Sequence, residues 1–412
     1  MKDDSVVTLA ERAEVQAKSP LEQVIAEGAR KMLQAAIENE VQEYLQAYCG
    51  RRTEDGQSLV VRNGHLPERD LVTGVGPLTV RQPRVRHREG LKFSRAILPK
   101  YLRRVPSIDA LIPALYLKGV STGDFSDALV AILGEKAAGL SATNVVRLKA
   151  TWEQDYHAWR QRDLSQKRYV YWWADGIYFN VRLDDDRTCV LVLIGATEDG
   201  SKELLAVVDG FRESKDSWGD LLRELKAHGL TQPPKLATGD GSLGFWIALQ
   251  EEFGTAVEQQ RCWVHKTANV LNNMPKSVQP RAKADLHEIW MAETREQANK
   301  AFETFLAKYQ AKYDAACECL RKDREQLLAF YDFPAEHWTH LRTTNPIEST
   351  FATIRLRHKR TKGNGTRKTS LAMMFKLAQA AEKKWHRLHG SERLALLLQG
   401  KVFVDGMLQD AA

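Results

Sequence analysis

The chain has 412 residues, of which 43% are hydrophobic and 27% charged, with a formal net charge of +7 and a pI near 9.0. This length and balance exclude a disordered tail or one small module, leave room for two or more domains, and point to a polyanionic partner. The five cysteines form no paired framework, the N-terminus is polar and acidic, and runs such as 189–196 are too short to span a bilayer. A disulfide scaffold, a signal peptide and a membrane protein are therefore not expected, and a reduced, cytoplasmic setting is.

Taken in order, residues 20–48 read as a helix, with Leu21, Val24, Ile25, Ala29, Met32 and Leu33 at helical spacing. The stretch 62–86 carries Asn-Gly and Gly-Val-Gly turns between alternating apolar residues, which predicts short strands. From Arg81 to Arg104 there are nine Lys or Arg and one acid, Glu89, and Arg84, Arg86 and Arg88 are candidate DNA contacts. Residues 106–158 read as helices separated by turns. Either they include a helix-turn-helix reader with 141–152 as recognition helix, or they pack on one another.

At 168 the pattern changes to three apolar strand-like runs, an antiparallel meander, followed by a helix near 215–228 with Trp218, Leu221, Leu222 and Leu225. A short strand reaching Asp240, a helix, the run "AVEQQRC" and the stretch "WVHKTANVL" come next. Three strands, a helix, a strand, a helix and a strand is the order of a ribonuclease H-like fold. Residues 264–333 carry no strand signal and place Ala298, Phe302, Phe305 and Tyr309 on one helical face.

Asp175 follows the apolar run "YVYWWA", and Asp240 sits between glycines at the end of the fourth predicted strand. Each alone reads as a turn residue. Adjacent strands would bring the two carboxylates together, and two like charges at close range call for a cation. Glu348 has two readings. Asn345 as N-cap, Pro346 and Glu348 form a capping-box pattern. Alternatively, Ile347, Phe351 and Ile354 face the core and Glu348 shares another face with Ala352, Arg355 and Lys359. From Phe351 to Ser370 there are seven Lys or Arg and no acid, which makes Arg355, Arg357, Lys359, Arg360 and Lys362 candidate phosphate contacts. Two Asp and one Glu form a hard oxygen set suited to Mg²⁺ or Mn²⁺, and two such ions support in-line phosphodiester chemistry. Cys262 and His265 have the gap of a zinc half-site without a second pair, or are a packed cysteine and histidine.

The blocks "ADGIY" (174–178), "TGDGSLGFW" (238–246), "QRCWVHKTANVL" (260–271) and "RTTNPIES" (342–349), with "RNGH" (62–65) and "YLKGVST" (116–122), resemble the mutator-type transposases of bacterial insertion sequences, of the DDE class. The resemblance covers about residues 25–390. It implies that Asp175, Asp240 and Glu348 are the catalytic, metal-binding triad and that Cys262 and His265 are the family's Cys-x-x-His signature. It implies an α/β ribonuclease H-like core with an all-helical insertion, behind a mainly helical DNA-binding N-terminal region. The implied activity is cleavage at terminal inverted repeats and strand transfer into target DNA with Mg²⁺ or Mn²⁺, by a homodimer or larger homo-oligomer at the nucleoid. Trp290, in the insertion, is either a base-stacking residue or a core tryptophan. The expected division is 1–60 helical, 61–105 basic β, 106–165 helix-turn-helix-like, 166–265 catalytic core, 266–340 insertion, 341–390 core again and 391–412 tail. A structure-specific nuclease or resolvase, and a non-catalytic DNA-binding regulator, are the alternative readings.

Overall fold

The computed structural model describes residues 20–89, 93–103, 105, 142–180, 187–210, 212–241, 243–348, 351–352, 354–355 and 366–409. The chain divides into two compact units, Met1–Leu148 and Lys149–Ala412. This boundary falls inside a helix rather than at 105 or 165.

In the first unit, α1 (Pro20–Ala47) precedes four short strands, β1 (Val60–His65), β2 (Arg69–Thr73), β3 (Gly76–Val80) and β4 (Pro83–His87). The strands pair antiparallel as β1–β4 and β2–β3. The helix forms where expected, but its apolar stripe does not serve as expected. Leu21, Val24, Ile25 and Met32 are exposed, whereas Ile37 is buried with Leu71, Val80 and Leu98, and Leu33 packs at the edge. From Leu33 onward α1 therefore contributes to this small core. The predicted helices over 106–141 lie outside the described residues.

α2 (Ala142–Arg160) enters the second unit. The expected recognition stretch is its first half, and Trp152 and Tyr156, within the second unit, are buried there, with Tyr156 Oη donating to Val207 O at 2.8 Å. The strands β5 (Tyr169–Asn180), β6 (Arg187–Thr197) and β7 (Lys202–Gly210), then β8 (Leu236–Gly239) and β9 (Glu258–Arg261), form one sheet in the order β7-β6-β5-β8-β9. The first three are antiparallel, and β8 and β9 join parallel. The parallel joins require crossovers, supplied by α3 (Lys215–Ala227) and α4 (Leu243–Phe253). These two helices pack on one sheet face, where Trp172, Ala174, Leu191, Leu193, Trp218, Leu221, Leu222, Leu225 and Phe245 form an apolar core.

From β9 to 341 every described element is helical, matching the absence of any strand signal. The elements are α5 (Trp263–Leu271), α6 (Gln279–Met291), α7 (Arg295–Tyr309), α8 (Asp314–Arg321) and α9 (Arg324–Leu328), two 3-10 turns, and α10 (Trp338–Leu341). Ala298, Phe302, Phe305 and Tyr309 are buried along one side of α7. Helical residues at 345–348, 351–352 and 354–355 (α11) return the chain toward the sheet. Ile347, Phe351 and Ile354 face inward as the spacing predicts. α12 (Arg367–Glu382) then packs along β7.

Candidate active site

The β5–β8 ladder ends at the pair Ala174–Gly239, and one residue further on each chain stand Asp175 and Asp240. The two aspartates thus stand side by side where the parallel pairing of β5 with β8 ends. β8 stops because Gly241, at φ +87°, turns the chain toward α4, and a Cβ there would overlap the Arg261 guanidinium. Asp175 is not the turn residue it could have been. β6 pairs with β5 as far as Asn180, so Asp175 lies mid-strand with one edge freed by the departure of β8.

Asp175 is 6% exposed. Burial pushes its carboxyl up to about 7, and the charges of Asp240 and Glu348 add to the rise, while His265 and a 2.9 Å bond from the Gly176 N–H oppose it. Such a group ionises fully at neutral pH only when more positive charge is brought to it.

Cys262, His265 and Glu348 form a second cluster. Cys262 follows β9, donates its N–H to Gly239 O at 2.8 Å and is the N-cap residue of α5. Its buried sulfur makes no cap bond. Instead it accepts the Thr344 N–H, with Thr344 Oγ1 also 3.4 Å away. Thr344 O accepts from both Ile347 N and Glu348 N, so Thr344, not Asn345, caps α11. Nor does the capping box form. The Thr344 N–H is taken by Cys262 and the Asn345 N–H by Thr343 Oγ1, leaving the Glu348 carboxylate to accept from Thr344 Oγ1 at 3.3 Å. A helix cap therefore does not account for Glu348.

Ligand atoms of Cys262, His265 and Glu348 lie within 4.8 Å of one another. A structural zinc site takes four ligands, and among the described residues no fourth joins this group. Contact with Cys262, then the charges of Asp175 and Asp240, hold His265 up to about 9 against burial. His265 thus stands close to the acids with one buried ring nitrogen, Nδ1, that makes no hydrogen bond among the described residues.

A fourth acid, Glu213, escaped the sequence reading. It directly precedes Ser214, the N-cap of α3, whose Oγ accepts from Ser217 N at 3.2 Å. Burial pushes its carboxyl up to about 7, with Asp240 and then Asp175 adding to the rise. The local sequence signals only a helix start. The indirect clue is the glycine after Asp175, which leaves the room that Glu213 occupies.

The basic candidates divide. Arg84 and Arg86 alternate along β4, Arg88 follows its end, and all three are exposed. Arg355 is exposed, its guanidinium 5.8 Å from the Phe351 ring centroid. Arg357, Lys359, Arg360 and Lys362 lie outside the described residues. Trp290 is half-buried, stacked on Trp263 at 6.5 Å between centroids, with the Arg342 guanidinium 5.1 Å over its ring.

The family model described as "Transposase, Mutator family" matches residues 1–387. The chain is 51% identical over 298 residues to the transposase for insertion sequence element IS6120 of Mycolicibacterium smegmatis, covering 72% of this chain and 91% of that protein. It is 50% identical over 288 residues to the transposase for IST2 of Acidithiobacillus ferrooxidans, covering 68% and 95%. The transposase for IS256 in transposon Tn4001 of Staphylococcus aureus is 30% identical over 328 residues, covering 78% of this chain and 81% of its own length. Among the described residues no helix is long and apolar enough to cross a membrane.

Proposed function

From the premise that the chain belongs to the Mutator family of transposases, we propose that it cleaves DNA at the ends of an insertion sequence and joins them to a target, using Asp175, Asp240 and Glu348 to hold divalent cations. The observation that carries this reading is the emergence of Asp175 and Asp240 side by side, within electrostatic reach of Glu348. The sheet order and the helical segment between Asp240 and Glu348 support a ribonuclease H-like core with an insertion. The donor set fits Mg²⁺ or Mn²⁺: hard carboxylate oxygens with a buried acid that needs added positive charge. When bound, the ions activate the attacking oxygen and stabilise the leaving one.

The protein's own groups hold these atoms in place. Cys262 ties Thr344 to the end of β9 and so sets where α11 starts. Thr344 orients Glu348. His265 lends positive charge to the acids, and its open nitrogen is available to a water or a phosphate oxygen. Exposed Arg84, Arg86, Arg88 and Arg355 supply candidate phosphate contacts. Two element ends must be exchanged, which favours a homodimer or larger assembly.

The test is a cleavage and joining assay on labelled element-end DNA with Mg²⁺, comparing wild type with Asp175→Asn, Asp240→Asn and Glu348→Gln. We expect loss of both products in every variant, about 100-fold or more, with DNA binding retained. Survival of cleavage in Glu348→Gln would remove Glu348 from the site.

A further inference from the structure

Cys262, His265 and Glu348 reach one place from two helix starts. Cys262 is the N-cap residue of α5 and His265 stands three residues on, in its first turn, a spacing that puts both side chains on one side of the helix. Glu348 comes from the first turn of α11. Ligand atoms of the three lie within 4.8 Å of one another. A tetrahedral zinc ion separates its ligands by roughly 3.3–3.6 Å, so side-chain shifts of about an ångström close the set on an ion. One residue holds two of the three ligands. Thr344 is fully buried, gives its N–H to the Cys262 sulfur, and places Oγ1 3.4 Å from that sulfur and 3.3 Å from Glu348 Oε1. Hydrogen bonds to a ligating sulfur and carboxylate are the outer contacts that orient metal ligands, and both groups keep further lone pairs for an ion. His265 Nδ1 is buried without a hydrogen bond among the described residues. The donors are mixed: sulfur and imidazole select zinc-like ions over Mg²⁺, which takes oxygen.

We propose that Cys262, His265 and Glu348 form a second cation site, for Zn²⁺ or a similarly thiophilic divalent ion, and that its occupancy competes with the Mg²⁺ centre for Glu348. Three protein ligands with a fourth position left to water is the pattern of an open zinc site, not of a closed structural one. The ion takes the place of the protons on the Cys262 thiol and the His265 ring, so binding releases protons. The site stands on its own three ligands, and the competition rests on the role proposed above for Glu348. A carboxylate that has given its charge to Zn²⁺ is a weaker ligand for Mg²⁺, so Zn²⁺ inhibits Mg²⁺-dependent cleavage.

The experiment titrates the metal-free, full-length chain with Co²⁺, whose thiolate complexes absorb strongly in the near ultraviolet, and reads Zn²⁺ affinity by displacement of the Co²⁺. Wild type is compared with Cys262→Ser, His265→Ala, Glu348→Gln and Asp175→Asn, each checked for folding by circular dichroism. The thiolate band should appear in wild type and Asp175→Asn and be absent from Cys262→Ser. Zn²⁺ affinity should fall about tenfold or more in His265→Ala and in Glu348→Gln. A band that survives in Cys262→Ser belongs to another cysteine, such as Cys317 or Cys319, and would overturn the site, as would a wild type without the band. If Cys262→Ser does not fold, wild-type Zn²⁺ affinity in His265→Ala and Glu348→Gln would overturn it instead. In the Mg²⁺ cleavage assay, Zn²⁺ at its measured Kd should lower the wild-type rate about twofold. Full wild-type cleavage with the Zn²⁺ site saturated, or unchanged Zn²⁺ affinity in Glu348→Gln, would overturn the competition. Loss of Mg²⁺-dependent cleavage in Asp175→Asn with its Co²⁺ band intact separates this site from the Mg²⁺ centre. Cleavage that persists in Asp175→Asn and Glu348→Gln would overturn the Mg²⁺ reading and leave the thiolate site standing.

Discussion

The two faces of the β5–β9 sheet are held in different ways. On the face under α3 and α4 the contacts are apolar, with Trp172, Leu191, Leu193, Trp218, Leu222 and Phe245 closing a dry core. On the opposite face each strand near the site offers a polar group to the helical segment. Tyr171 Oη meets His337 Nδ1 at 2.8 Å, Trp173 Nε1 donates to His340 O at 2.9 Å, and Thr238 Oγ1 donates to Leu341 O at 2.9 Å. Gln260 Oε1 accepts the Phe330 N–H, and Trp263 Nε1 donates to Leu327 O. Hydrophobic burial is not directional, so it fixes that helices dock more firmly than where. Hydrogen bonds fix register. This series runs from Leu327 to Leu341, and the Trp263 N–H to Arg342 O and Thr344 to Cys262 carry it on to Glu348. The difference teaches that the apolar face makes the sheet, and the polar face fixes where a distant glutamate stands beside Cys262 at the end of β9.

The largest effect should come from the charged anchor of the polar side. Lys266 is fully buried and pairs with Asp323, which also accepts from Arg261 Nε at 3.1 Å. Asp323→Ala leaves both cations short of their partner and should cost about 3–5 kcal/mol in urea denaturation. Leu222→Ala, on the apolar face, should cost about 2–5 kcal/mol, while cleavage per folded molecule stays near wild type. Thr238→Val should cost only about 1–3 kcal/mol, because the Leu341 carbonyl loses its donor, yet lower cleavage per folded molecule more than Leu222→Ala does. Equal effects on cleavage would break the comparison.

The smallest effect is a pH dependence confined to the polar face. Burial pulls Lys202 from 10.5 down to about 8, beneath Trp173 and beside His340. Below pH 8 the folded state carries a charge it disfavours. Between pH 8 and 10.5 the folded state releases the proton before the unfolded state does, so stability rises with pH. Lys202→Met should therefore be the more stable protein at pH 7, by on the order of 1 kcal/mol after allowing for its partial contact with water. That advantage should fade by pH 10.5 in melting curves taken across the range.

Much of this was legible in the residues. Continuous apolar runs bounded by turns marked β5 to β7, and the stripe of Trp218, Leu221, Leu222 and Leu225 marked α3, since both patterns record how much of each element meets the core. Asp175, Asp240, Glu348, Cys262 and His265 stood out because charged or soft groups beside apolar runs need a reason. Less legible were residues whose role depends on a distant neighbour. Leu21, Val24, Ile25 and Met32 had the right spacing and are exposed. Thr344 displaced Asn345 as the cap because Cys262, remote in sequence, takes its N–H.

By itself the sequence determined the kinds of elements, their order, and a set of acids able to hold a hard cation, because these follow from local periodicity and side-chain chemistry. Only the tertiary structure decided which acids meet. Asp175 and Asp240 become neighbours through the parallel join of β5 and β8, and Glu348 through the hydrogen-bonded seam along the helical segment. Glu213 lies against β5 because Gly176, far from it in sequence, has no Cβ. Such proximity depends on the exact path of the chain, and no local pattern encodes it.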